Sequence, residues 1–183
     1  MSVYSLWLPI LLSGVVVFFS SFIAWTMLPH HKADFDKVPD EDAVMKAVGG
    51  LNLPPGKYLF PHGEHGKHRD PAFIAKCIAG PRGILTIWAM PNMGVNMILT
   101  FLVFLVASFF IAYLASIAIP HRNAPFMEVF QFVGTAGILA YCFAFLPNSI
   151  WFKNGKMATI NCIIDGVVFG LLTGVVFGFL WPK

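Results

Sequence analysis

Charge is what this chain has least of. Acidic and basic residues fill 11% of its 183 positions, against roughly 25% in an ordinary soluble protein. They are absent from 4–28 and 94–119, while 126–146 carries one acid, Glu128, and 157–181 carries one, Asp165. No lysine, arginine or histidine falls inside any of these four stretches. That leaves no buried bis-histidine haem ligation within them, which weighs against a membrane cytochrome. Cysteine is scarce too: Cys77, Cys142 and Cys162 form no CxxC pair, and an odd, unpatterned count gives no disulfide framework. The net charge of +3 is spread among interspersed acids and bases, so no basic patch points to nucleic acid. Gly-x-Ser-x-Gly, P-loop, Rossmann and HExxH patterns are all missing, so the sequence reads as non-enzymatic.

What is present is apolar length. Each of the four stretches reaches the roughly 18–20 residues that cross a bilayer as a helix. The mean hydropathy is +0.74 and 57% of residues are hydrophobic. The expected fold is an all-α membrane protein: a four-transmembrane-helix bundle with spans at 4–28, 94–119, 126–146 and 157–181. The 65-residue loop 29–93 is expected to contain two short amphipathic helices. The first span reads as a retained anchor, because MSVYSLW has no basic n-region and no small-x-small cleavage site follows. Arg122 and Lys183 lie on the side of the termini and ten bases on the other. The positive-inside rule therefore puts loop 29–93 in the cytoplasm and both termini outside.

Inside the loop, Pro39-Asp40-Glu41-Asp42 reads as an acidic helix start that runs to Gly49-Gly50. A second helix is signalled by Asp70 as N-cap, Pro71 at its first position and Gly80 beyond its end. LPPGKYLFP reads as turn and extended chain, and RGILTIWA as a short strand. Both helices are expected at the mouth of the bundle or in the headgroup layer.

The last span carries Gly166, Gly170, Gly174 and Gly178. Four residues advance a helix by about 400°, so these glycines form one slowly turning row. In lipid such a row lets another helix approach closely, either within the chain or in a second one. A homo-oligomer or a larger membrane complex is the expected assembly, with lipid the remaining partner. Asp165 stands beside this row, deep in the span, where an acid is expensive and a functional candidate. With no base in any span, it is expected to be protonated and to donate a hydrogen bond. Asn161 lies four residues earlier, and Gln131, Thr135 and Glu128 offer further polar groups on the third span. Either the five form a track for protons or ions, or Asp165 and Asn161 are hydrogen-bonding glue beside the glycine row.

Two histidine groups remain. His62, His65 and His68 recur every third residue, with Glu64 and Asp70 among them. His30, His31 and Asp34 follow the first span. Imidazoles and carboxylates suit zinc, copper or nickel, although the first group fits no usual structural-zinc spacing. A solvated loop is the alternative. Met90, Met93 and Met97 offer thioethers, or simply apolar filling.

The segments SLWLPILLSGVVVF, PDEDAVM, PPGKYLFPH, FQFVGTAG, NSIWFK and DGVVFGLLTGVVFGFLWP resemble an uncharacterised family of small bacterial four-span integral membrane proteins. The resemblance covers nearly the whole chain. It implies four spans and a bacterial inner-membrane location, and supplies no activity or catalytic residue. The expected role is that of a structural or accessory subunit packing through the glycine-rich fourth helix. The alternatives are an ion or proton pathway through Asp165, or metal binding by the loop histidines.

Overall fold

The structure, a computed structural model, describes residues 1–64, 66 and 69–183. His65 and His68 lie outside the described residues, so the predicted loop triad is represented by His62 alone. The chain forms two compact units, one of residues 1–36 with 93–183 and the other of 37–92.

In chain order the elements are α1 (Trp7–Thr26), α2 (Glu41–Gly50), β1 (Gly56–Phe60), α3 (Pro71–Ala79) and β2 (Gly83–Ile87). They are followed by α4 (Met93–Ala118), α5 (Phe126–Ile138), α6 (Leu146–Phe152) and α7 (Lys156–Leu180). A 3₁₀ turn, Val3–Leu6, leads into α1, and a second, His30–Asp34, follows it. The protein is mostly helical, and four helical runs are long and apolar enough to cross a membrane: Val3–Thr26, Met93–Ala118, Phe126–Phe152 and Lys156–Leu180. Their outward faces carry large exposed apolar side chains such as Phe19, Ile98, Val103, Phe110 and Ile117. Exposure of that kind is what a lipid-facing surface requires.

The third run extends to residue 152, past the expected end at 146. A π-helical turn, Leu139–Phe143, links α5 to α6. Pro147 sits in the first turn of α6, where its missing N–H breaks no hydrogen bond. The helix stops at Lys153, which takes the left-handed conformation (φ 55°).

α5 and α7 pack with the glycine row between them. A Cβ at Gly170 would lie 2.5 Å from Ile138 N, and one at Gly137 would lie 2.7 Å from Gly170 Cα. Gly166 faces Tyr141 and Cys142, Gly174 faces Phe130 and Gly134, and Gly178 faces Phe126. Positions rising along α7 meet positions falling along α5, so the two run antiparallel. The row is filled from within the chain.

The buried core lies at the end of the unit where both termini are found. Leu6, Ile111, Ala112, Ala115, Ile119, Val129, Val133, Phe177 and Trp181 cluster there. Trp181 closes it, its indole N–H donating to His121 O at 3.2 Å. Midway along the helices, Ser13 donates to Ser108 across α1 and α4 at 3.0 Å. The Tyr141 hydroxyl faces Ser108 and Thr173 without closing a hydrogen bond to either.

The second unit is built on an antiparallel hairpin, with Gly56 opposite Ile87 and Phe60 opposite Gly83. α2 starts at Asp40, whose carboxylate accepts from Ala43 N at 2.9 Å. α3 starts at Asp70, which accepts from Ala72 N at 2.9 Å, and ends at Gly80 with φ 62°.

Candidate functional site

The site begins where α1 stops. Met27 closes the last turn by donating to Ile23 O at 2.9 Å. Pro29 cannot continue the hydrogen-bond ladder, and the chain turns into the 3₁₀ segment His30–Asp34. That segment packs against α7 rather than running away from it. Asn161 of α7 fastens it at both ends, its amide donating to His30 O and to Asp34 Oδ1, each at 2.8 Å. The Trp25 ring stacks on His31 with centroids 3.8 Å apart and planes 8° from parallel.

Both imidazoles converge on Asp165. His30 Nε2 is 3.1 Å from Oδ1 and His31 Nε2 is 2.8 Å from Oδ2. The other nitrogen of His31, Nδ1, is 2.5 Å from Asp34 Oδ2. A carboxylate at each end suits the doubly protonated His31 ring, in which both nitrogens donate. His31 is 6% exposed and Asp165 9%, so these groups are paired where few waters reach them. Burial alone would lower the His31 pKa. Hydrogen bonds to Asp34 and Asp165, with their charges, outweigh burial and raise it above its ordinary 6.5. For Asp34 burial works upward, but hydrogen bonds from His31 and Asn161 and the nearby imidazole charges bring its pKa below its ordinary value.

Asp165 therefore has basic partners, contrary to the expectation that no base pairs with it. The reason is geometric. The histidines lie outside every apolar run, yet the turn after Pro29 lays them along α7. Asp165 is nine residues into that helix, about 14 Å from its start at 1.5 Å per residue. In the sequence, the signal for this is His-His-x-x-Asp directly after a span and a proline.

Of the five intramembrane polar residues, the fold brings together two, Asn161 and Asp165. Gln131 and Thr135 are exposed on α5, whose inner face is Val129, Val133, Gly134 and Gly137. Glu128 lies in the first turn of α5, 3.5 Å from His121 on an exposed surface. They do not join Asp165 in a track. His62 is exposed in the second unit, and Met90 and Met93 are 97% and 67% exposed.

Among the described residues, His30, His31 and Asp165 form the group whose metal-ligating atoms all lie within 4.8 Å of one another. Ligands around a tetrahedral zinc at about 2.0–2.1 Å stand roughly 3.3 Å apart, a spacing that these atoms, within 4.8 Å of one another, approach. Two imidazoles and one carboxylate make a borderline donor set for zinc, iron, cobalt, nickel or copper. The Asp34–His31 contact is the outer carboxylate that metal-bound histidines commonly carry. Beside the site, a groove between α1 and α7 is lined by Ser20, Ile23, Ala24, Leu28, Ile164, Val168 and Phe169, with His30 and Asp165 in its wall. No protein-family model, curated protein or solved structure matches this chain, so the reading of the site stands on its own geometry.

Proposed function

We propose that the chain is an integral membrane protein that binds one divalent transition-metal ion through His30, His31 and Asp165. The observation that carries this is His31, which turns one ring nitrogen to Asp165 and the other to Asp34. On binding, the metal replaces the protons at His30 Nε2 and His31 Nε2. Asp34 keeps the His31 Nδ1 proton and so fixes the ring and its tautomer. Asn161 holds Asp34 in turn. Loading releases protons and weakens as pH falls. The protein resides in a bacterial inner membrane with loop 29–93 on the cytoplasmic side, so the metal comes from the cytoplasm.

The test is elemental analysis of protein purified in mild detergent without a histidine tag, then equilibrated with zinc or cobalt and desalted. One metal per chain is expected, falling well below that in His31→Ala and Asp165→Ala and unchanged in His62→Ala. A wild-type content near zero after equilibration overturns the proposal. For orientation, a variant keeping Cys77 as its sole cysteine should react with an impermeant maleimide in inverted vesicles but not in intact spheroplasts.

One feature favours a second reading. A histidine between two carboxylates can relay a proton. The His31 cation gives its Nδ1 proton to Asp34 and, once the remaining proton has moved from Nε2 to Nδ1, takes the next one at Nε2 from a protonated Asp165. Proteoliposomes separate the two. Proton leak that disappears in Asp165→Asn, in protein that binds no metal, supports the relay. Equal leak in both removes it.

A further inference from the structure

The turn that joins α6 to α7 carries a recess of about 520 Å³, within the range of roughly 300–1,000 Å³ typical of small-molecule sites. Ser149, Ile150, Lys153, Lys156, Thr159 and Ile160 are among the residues that line it. Hydrogen bonds fix its shape. The hydroxyl of the buried Ser149 bonds to that of Thr159 across the turn, and Thr159 also donates to Gly155 O at 3.1 Å. Ser149 O accepts from the backbone N–H groups of both Lys153 and Asn154.

Two cations line this recess without a counter-charge. No acid is among its lining residues or in the first turn of α7. Among the described residues, no ion pair engages Lys153 or Lys156. Lys153 also occupies a costly place, a left-handed helix end (φ 55°) that ordinarily takes glycine. What a lysine adds there is charge. The third apolar run ends at Phe152 and the fourth begins at Lys156, so the turn between them falls at the boundary of the hydrocarbon layer. Trp151, 81% exposed, stands two residues before Lys153, as tryptophans do at membrane interfaces. Ile150 and Ile160 belong to the apolar runs and are exposed, so one recess joins a cationic wall to an apolar one. A phosphate that carries acyl chains uses both walls. A free phosphate uses only the cations, and a zwitterionic headgroup sets its own ammonium against them.

We propose that this recess binds an anionic phospholipid, its phosphate on Lys153 and Lys156 and an acyl chain along Ile150 and Ile160. Basic pockets at the ends of membrane helices recognise lipid headgroups in this way. The inference goes beyond the metal reading and shares no residue with it, resting only on the four runs crossing a membrane.

Photolabelling of the full chain in phosphatidylcholine nanodiscs tests it. Two probes with identical diazirine-bearing acyl chains are compared, one a phosphatidylglycerol and one a phosphatidylcholine. The anionic probe should label peptides from 149–160 about fivefold or more above the zwitterionic one. Lys153→Gly preserves the turn, because glycine takes the left-handed conformation freely, and should cut that labelling about fivefold. Lys156→Gln should do the same, since one lysine near a membrane surface is worth about that factor. Lys46→Gln, on α2 of the second unit, should leave it unchanged. Equal labelling by both probes overturns the proposal, as does full labelling of a variant carrying both Lys153→Gly and Lys156→Gln. An equal loss in Lys46→Gln overturns it too, by revealing a general effect of charge. If excess inorganic phosphate displaces the anionic probe where sodium chloride of the same ionic strength does not, the recess takes a free anion and the lipid is overturned. Metal content should match wild type in all these variants. Selective labelling in protein that binds no metal supports the recess while the metal reading fails, and metal without selective labelling overturns the recess alone.

Discussion

Replacing Gly170 by alanine should destabilise the fold by about 2 kcal/mol, while the same change at Gly134, on the facing helix, should not. At Gly170 the new Cβ would stand 2.5 Å from Ile138 N, 2.7 Å from Ile138 Cγ1 and 2.9 Å from Gly137 C. Two of these are backbone atoms that no rotamer change can move. Ordinary contact begins near 3.4 Å, so α5 and α7 must separate by roughly 1 Å, enough to forfeit a quarter to a half of each dispersion contact along the seam. Overpacking of this kind costs about 1–3 kcal/mol, and a backbone obstacle puts it at the upper end. Alanine's better helix propensity returns up to about 1 kcal/mol. At Gly134 the nearest atom to the new Cβ is Gly170 O at 3.8 Å, so only the propensity gain remains. The two variants should thus differ by about 2–3 kcal/mol, or roughly 30- to 150-fold in unfolding equilibrium. Reversible unfolding in mixed micelles of mild detergent and dodecyl sulfate, followed by circular dichroism, measures both. If Gly170→Ala is as stable as Gly134→Ala, the described α5–α7 seam is refuted.

Three further outcomes follow from the site and its neighbours. Asp34→Asn keeps the shape but loses the charge behind His31, so metal affinity should fall about 10- to 100-fold; at saturating metal the stoichiometry stays at one, and a titration with unchanged midpoint contradicts this. In metal-free protein, the raised His31 pKa contributes stability that is complete below about 6.5 and is lost as pH rises through the folded value. The lowered Asp34 pKa contributes stability that is present above about 3.9 and is lost as pH falls through its depressed folded value. Denaturation curves should therefore show stability declining as pH rises above about 6.5, with a flatter decline in His31→Gln; a rise there has the wrong sign. Tyr141→Phe removes a hydroxyl that is buried without a hydrogen bond, so its effect should stay within about 1 kcal/mol, and a larger loss shows that the hydroxyl is engaged.

How much of this was readable beforehand depends on the range of the interaction concerned. Asp70 and Gly80 marked the ends of α3 because caps act within one helical turn. The apolar runs marked four helices because hydropathy sums over consecutive residues. The third run extends six residues past the end that its apolar run marks, because the π-helical turn and the first turn of α6 accommodate Pro147. Helical phase put Gln131 and Thr135 on one face of α5, but not which face meets α7; Gly134 and Gly137 decide that, since only there can the backbones approach. The partners of Asp165 were the largest omission. His30 and His31 are more than 130 positions away in sequence and outside every span.

The amino-acid sequence alone thus determined the helices, their apolar character and the caps of the loop, all set by neighbours along the chain. Only the tertiary structure decided that α5 fills the glycine row and that a turn after Pro29 brings two imidazoles to a buried carboxylate. Those contacts depend on which surfaces meet, and pairing across distance is a property of packing, not of local propensity.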